Sequence, residues 1–207
     1  VWAWGWGYYG QLGSGTTANE TVPVRVQGLG KITAIAAGSV FSLALASDGT
    51  VWTWGRNASG QLGRANVGDA LLPGMVAGLS GIISVSSGTD HAFAIDQDGN
   101  PWAWGSNYYG QLGDGTRNNV SLPKRLQNLT GVHTIVSYFD HSLALRSDST
   151  VWAWGSNDQG QLGNGSVATS LNDSLNPTRV ILPEGVIKIA AGDKHGMALL
   201  ANGKVWV

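Results

Sequence analysis

The chain of 207 residues carries 12 Lys and Arg against 13 Asp and Glu, a formal charge of −1, with 43% hydrophobic and 12% charged residues. That is enough apolar material for a sizeable core and argues against disorder, while basic residues that form no run argue against a nucleic-acid binder. Cysteine is absent, which removes disulfides and thiolate zinc sites, and no apolar stretch approaches the roughly 20 residues that would insert across a membrane.

In chain order, Val1–Gly5 alternates large and small residues, as a half-buried strand does. A Gly-rich loop through Gly10-Gln-Leu-Gly13 follows, then a short strand at Pro23–Gln27, whose leading proline suits a sheet edge. Ile32–Ala37 is apolar and small-sided, Phe41–Ala46 alternates again, and Asp48-Gly49 is a hairpin signal leading into Val51. No segment shows a 3.6-residue period, so almost no helix is expected.

The series then repeats. Val1-Trp-Ala-Trp-Gly returns as Val51-Trp-Thr-Trp-Gly, Pro101-Trp-Ala-Trp-Gly and Val151-Trp-Ala-Trp-Gly, and Gly-Gln-Leu-Gly recurs at Gly10, Gly60, Gly110 and Gly160. The chain reads as one repeat domain with units at about 1–50, 51–100, 101–150 and 151–204 and the start of a fifth at 205–207; an insertion around Ser166 to Asn176 lengthens the fourth. Nine of the ten tryptophans occupy the recurring strand, and Trp6 is the exception. Four short strands per unit of about 50 residues predict an all-β protein, a β-propeller of four-stranded antiparallel blades, because a twisted sheet hides both faces only by stacking on its neighbours.

The pattern Val-Trp-x-Trp-Gly-x-Asn-x-x-Gly-Gln-Leu-Gly, with Gly-x-x-His-x-x-Ala-Leu before it, resembles the regulator of chromosome condensation repeat over the whole chain. The resemblance implies a propeller, commonly of seven blades, used as a binding platform. Family members include exchange factors for a small GTPase, chromatin binders and a secreted bacterial inhibitor of β-lactamases, so fold does not hand over function. Four units leave three arrangements open: a small closed ring, half of a larger ring completed by a second copy, or part of a larger propeller. An open arc exposes sheet faces prone to self-association. Val1 is not a methionine and no signal peptide is visible, so either a leader has been removed or the stretch belongs to something longer.

Other motifs have plainer readings. Gly5-Trp-Gly7-Tyr-Tyr-Gly10 matches a dinucleotide fingerprint but precedes a turn where a helix is required, so no cofactor is expected. His91, His141 and His195 share one repeat position with Phe41, which favours packing over a metal site; His133 has no repeated partner. Asp96, Asp98 and Asn100 open like a calcium loop, yet Asn107 stands where a bidentate Glu is needed. Six glycosylation sequons (Asn19, Asn57, Asn119, Asn128, Asn164 and Asn172) arise readily in such loops. No G-x-S-x-G elbow is present, and the two glutamates, Glu20 and Glu184, sit in no recurring context, so catalysis is not expected.

Binding is expected where the units differ along one set of loops. The loop after the Trp strand contributes Trp6, Tyr8, Tyr9, Arg56, Tyr108, Tyr109 and Asp158, and the loop before the His position contributes Tyr138 and Phe139. Every tyrosine falls there, and such rings dominate protein-protein hot spots. The leading expectation is a non-catalytic scaffold with a protein partner. The alternative is a carbohydrate-binding module that stacks sugars on the same rings. An enzyme using a central cavity would want carboxylates on the inner strands, which carry none, and no exchange-factor residue maps onto the chain. Low charge and Asn/Ser/Thr-rich loops lean towards an extracellular prokaryotic protein, with a cytoplasmic one as the alternative.

Overall fold

Alternating segments closed by tight turns form hairpins, and hairpins account for the whole architecture. The computed structural model describes residues 1–65, 68–166, 173–183 and 185–207, and every regular element among them is a strand. Glu184, the Asn172 sequon and most of the insertion lie outside the described residues.

β1 (Trp2–Gly5) and β2 (Glu20–Arg25) form a two-stranded sheet. Three complete blades follow: β3 (Ile32–Ala37), β4 (Phe41–Ala46), β5 (Val51–Gly55) and β6 (Ala70–Met75); β7 (Ile82–Ser87), β8 (His91–Asp96), β9 (Pro101–Gly105) and β10 (Val120–Arg125); β11 (Val132–Tyr138), β12 (His141–Arg146), β13 (Val151–Gly155) and β14 (Ser174–Arg179). The last sheet has three strands, β15 (Val186–Ala191), β16 (Gly196–Leu200) and β17 (Val205–Trp206). Each sheet is a meander with every pairing antiparallel. The first strands of successive sheets, β3, β7, β11 and β15, stand side by side, and β3 and β7 carry small side chains such as Ala34, Ala36, Ser84 and Ser86. The ring is not closed, so the molecule is a partial propeller.

The outer strand differs from expectation in its start. It begins at Glu20 rather than Pro23, and the proline sits inside it, as do Pro73, Pro123 and Pro177 in β6, β10 and β14. These prolines lie within a register irregularity on the outermost strand, where a missing N–H breaks no ladder.

The core lies between sheets. Trp104 of the second blade is fully buried among Leu43, Val51 and Leu62 of the first, with Ala92 and Ala94 beside it. Its Nε1 donates to the Gln61 carbonyl at 2.9 Å. Trp54 makes the same bond to Gln11 and Trp154 to Gln111. Thus each blade inserts one indole into the loop of the blade before it. Gly113 shows why that loop ends in glycine: its φ is +74° and a Cβ there would lie 2.8 Å from the Trp154 ring. The first indole of the series, Trp4, is 64% exposed.

Candidate protein-interaction face

The loop after each Trp strand is folded back by its own glutamine. Gln11, Gln61, Gln111 and Gln161 accept from the backbone N–H of Tyr9, Ser59, Tyr109 and Gln159 at 2.8–2.9 Å. The asparagine two residues before Tyr9-like positions is absent from the first unit, where Gly7 stands. There Asn19 accepts from the Gly7 N–H at 3.0 Å, while Asn107 and Asn157 brace their loops through the N–H of Leu112 and Leu162. Residues between these anchors are free to point outward.

Both loop sets share one face. The N–H groups of Arg56, Ser106 and Ser156 donate to the carbonyls of Val40, Asp90 and Asp140, which joins the loop after β5, β9 and β13 to the turn before β4, β8 and β12. The turns are also linked across blades, from Ser39 to Thr89 at 3.0 Å and from Thr89 to Phe139 at 3.5 Å.

The aromatic side chains gather in three groups. Trp6 stacks on Tyr8 at 6.2 Å between centroids, Tyr9 meets both edge-on, and the Arg56 guanidinium of the next blade lies 4.9 Å over the Tyr9 ring. Tyr108 and Tyr109 pair edge-on at 5.1 Å, with Tyr108 71% exposed. Tyr138 and Phe139 are exposed, and Lys194 lies 5.6 Å over the Phe139 ring. Asp158 holds Lys194 in an ion pair at 3.1 Å and accepts from Gln161; these hydrogen bonds keep its carboxyl well below the usual range. Within the three complete blades, by contrast, Phe41, Phe93, Trp54, Trp104 and Trp154 are buried.

Tyr138 closes β11, paired with His141, rather than lying in a loop. At its repeat position the other units have Gly38, Gly88 and Gly192, where a Cβ would strike the ring of Phe41, His91 or His195. The third unit therefore turns differently, and Phe139 takes a φ of +49°, a conformation that costs about 1 kcal/mol or more in a residue with a Cβ.

Sequence reasoning missed the polar centre of this face. Gln61 donates to Asp90 at 2.8 Å and Gln111 to Asp140 at 3.1 Å, each across a blade boundary. Burial, opposed by Lys194 and reinforced by Asp90, Asp173 and Asp193, pushes the Asp140 carboxyl up to about 6. The only signal was that aspartate recurs just before histidine in two units. His91 and His141 are buried and His195 is exposed. Burial, followed by the neighbouring His141, depresses His91 to about 3. Asp96 is a turn acceptor, bonded to Asn100 and Trp102. Among the described residues no group of three His, Asp or Glu side chains is placed to hold a metal ion, and no helix is long and apolar enough to cross a membrane.

The chain is similar in structure to human WBSCR16 (TM-score 0.88, 24% identity, 99% of this chain and 55% of that one). It is similar to Prp20p from Saccharomyces cerevisiae, whose binding to Gsp1p and histones is described with its structure (TM-score 0.79, 27% identity, 90% and 48%). A Caenorhabditis elegans X-linked retinitis pigmentosa GTPase regulator homolog is 44% identical over 54 residues, 25% of this chain and 4% of that protein. The chain thus spans about half the length of these solved relatives. The RCC1-like domain model matches residues 1–207, and the chain belongs to the RCC1-like domain family.

Proposed function

We propose that the chain is a non-catalytic scaffold that binds a protein partner on the face carrying Trp6, Tyr8, Tyr9, Arg56, Tyr108, Tyr109, Tyr138, Phe139 and Asp158. One observation carries the reading. Phe41, Phe93, Trp54, Trp104 and Trp154 of the blades are buried between sheets, whereas Trp6, Tyr8, Tyr108, Tyr138 and Phe139 on this face stand in solvent, and Arg56 and Lys194 lie over the rings of Tyr9 and Phe139. Exposed Trp and Tyr beside Arg are the composition of interface hot spots, where large rigid rings bind at small entropic cost. The strained Phe139 adds support, because a turn that glycine would relax persists where the ring is useful. Prp20p, similar in fold, is a protein that binds Gsp1p and histones, which makes Gsp1p and histones the first proteins to offer.

The test is a pull-down with the wild-type chain and with Tyr108→Ala/Tyr109→Ala, both checked for the same far-ultraviolet dichroism. Proteins retained by the wild type and lost by the variant support the proposal. Equal retention by both, or retention abolished by free glycan, overturns it, the latter in favour of sugar recognition.

A further inference from the structure

The repeat places two tyrosine pairs in equivalent loops, and one of them carries a cation that the other lacks. Tyr8 and Tyr9 meet edge-on at 5.0 Å, Tyr108 and Tyr109 at 5.1 Å. In the first pair the Arg56 guanidinium lies 4.9 Å over Tyr9, and that ring is half-buried. Arg56 belongs to the loop of the next blade, and its repeat counterpart beside Tyr109 is Ser156. The backbone is held alike at both places: Arg56 N–H donates to the Val40 carbonyl and Ser156 N–H to the Asp140 carbonyl, each at 2.9 Å. A serine is too short to cover the ring. Tyr109 is 38% exposed, and among the described residues no cation lies over it.

The charge of the neighbouring turn differs in the complementary sense. Where the loop supplies Arg56, the turn residue is the neutral Val40; where it supplies Ser156, the turn residue is Asp140. Asp140 is half-buried and coupled to Tyr109 through one side chain: Gln111 accepts from the Tyr109 N–H at 2.9 Å and donates to Asp140 Oδ1 at 3.1 Å. The cations nearby are engaged elsewhere, Lys194 with Asp158, and Arg117 with Asp173 and the Tyr108 carbonyl. Asp90, Asp173 and Asp193 add to the negative field at Asp140, and Lys194 opposes them. An uncovered ring beside such a carboxylate suits a guanidinium, whose plane stacks on the ring while its N–H groups reach the oxygens.

We propose that this place, at the boundary between the second and third blades, takes an arginine side chain of the protein partner, stacked on Tyr109 as Arg56 is on Tyr9 and held by Asp140. The partner segment is therefore one that presents an accessible arginine. A lysine fits less well, because a compact ammonium is more strongly hydrated and offers no plane to the ring. This inference rests on the reading of the face as a protein-binding surface and adds the chemistry of what that surface receives.

The probe is a capped Gly-Arg-Gly peptide, titrated to about 20 mM against the isotope-labelled chain, with the NMR shifts of Tyr109, Gln111 and Asp140 as the readout. Saturable shifts at these residues are expected, with a millimolar Kd. The matching lysine peptide should bind about fivefold more weakly, and the citrulline peptide, similar in shape but uncharged, about tenfold more weakly. Asp140→Asn, which keeps an acceptor for Gln111, should weaken the arginine peptide about tenfold. Ser156→Arg, which supplies the cation from within, should abolish the shifts while the far-ultraviolet dichroism is retained. Equal affinity for the arginine and citrulline peptides, or no shift at Tyr109, overturns the proposal. So does a protein retained equally by the wild type and Asp140→Asn but lost by Tyr108→Ala/Tyr109→Ala, a result that leaves the binding face standing; equal retention by all three removes the face as well.

Discussion

Trp4 and Trp104 stand in the same tetrapeptide, Trp-Ala-Trp-Gly, yet the structure assigns them opposite energetic weight. Replacing Trp104 with Ala removes a side chain that is 0% exposed and opens a cavity between two blades, at about 3–5 kcal/mol. It also strips the Gln61 carbonyl of its donor, adding about 1 kcal/mol. The sum is a large share of the 5–15 kcal/mol typical of a whole domain. Trp4→Ala removes an exposed ring and should change stability by about 0.5 kcal/mol or less. The assay is urea unfolding followed by far-ultraviolet dichroism. Trp104→Ala should lower the midpoint sharply, and in a linear array whose units contact only neighbours it should also broaden or split the transition. Comparable losses for both variants would refute the claim that the blades are held by indoles passed from one to the next.

Other expectations are independent of that one. Ser149 adopts φ +63° in the turn where the other three units use Gly49, Gly99 and Gly203, so Ser149→Gly should stabilise the chain by about 1 kcal/mol, measured as a raised midpoint. Phe139→Gly should likewise raise stability by about 1 kcal/mol while weakening partner capture at least tenfold, an opposition that a merely structural Phe139 would not produce. Buried His91 is depressed to about 3 from the ordinary 6.5 of the unfolded chain. It therefore contributes full stability above pH 6.5, and that is lost as pH falls, by about 1.4 kcal/mol per pH unit. Asp140, raised to about 6, works the other way, its contribution fading as pH rises from about 4 to 6. Stability of His91→Phe, which copies Phe41 over Gly38, should fall less steeply between pH 6.5 and 4; an unchanged acid limb would contradict the burial argument.

Blade architecture was legible because its cause is periodic: alternation, Asp-Gly turns and a recurring Trp strand return every 50 residues. What was not legible depends on neighbours. Nothing in Val1–Gly5 distinguishes Trp4 from Trp154, since burial of each comes from the loop of another blade. The outer strand was placed three residues late because proline reads locally as a beginning, whereas the bulge tolerates it inside. Of the face, the rings were readable as departures from the repeat. Asp90 and Asp140 were not singled out, because their weight lies in bonds to Gln61 and Gln111 across blade boundaries.

Hydrogen exchange of the chain with and without a captured partner tests the interaction face most directly. The account predicts protection of the amides around Trp6–Tyr9, Tyr108–Tyr109 and Tyr138–Asp140, with the turns at Asp48-Gly49, Asp98-Gly99 and Asp148-Ser149 unchanged. Protection confined to those turns, or spread evenly over both faces, would contradict it.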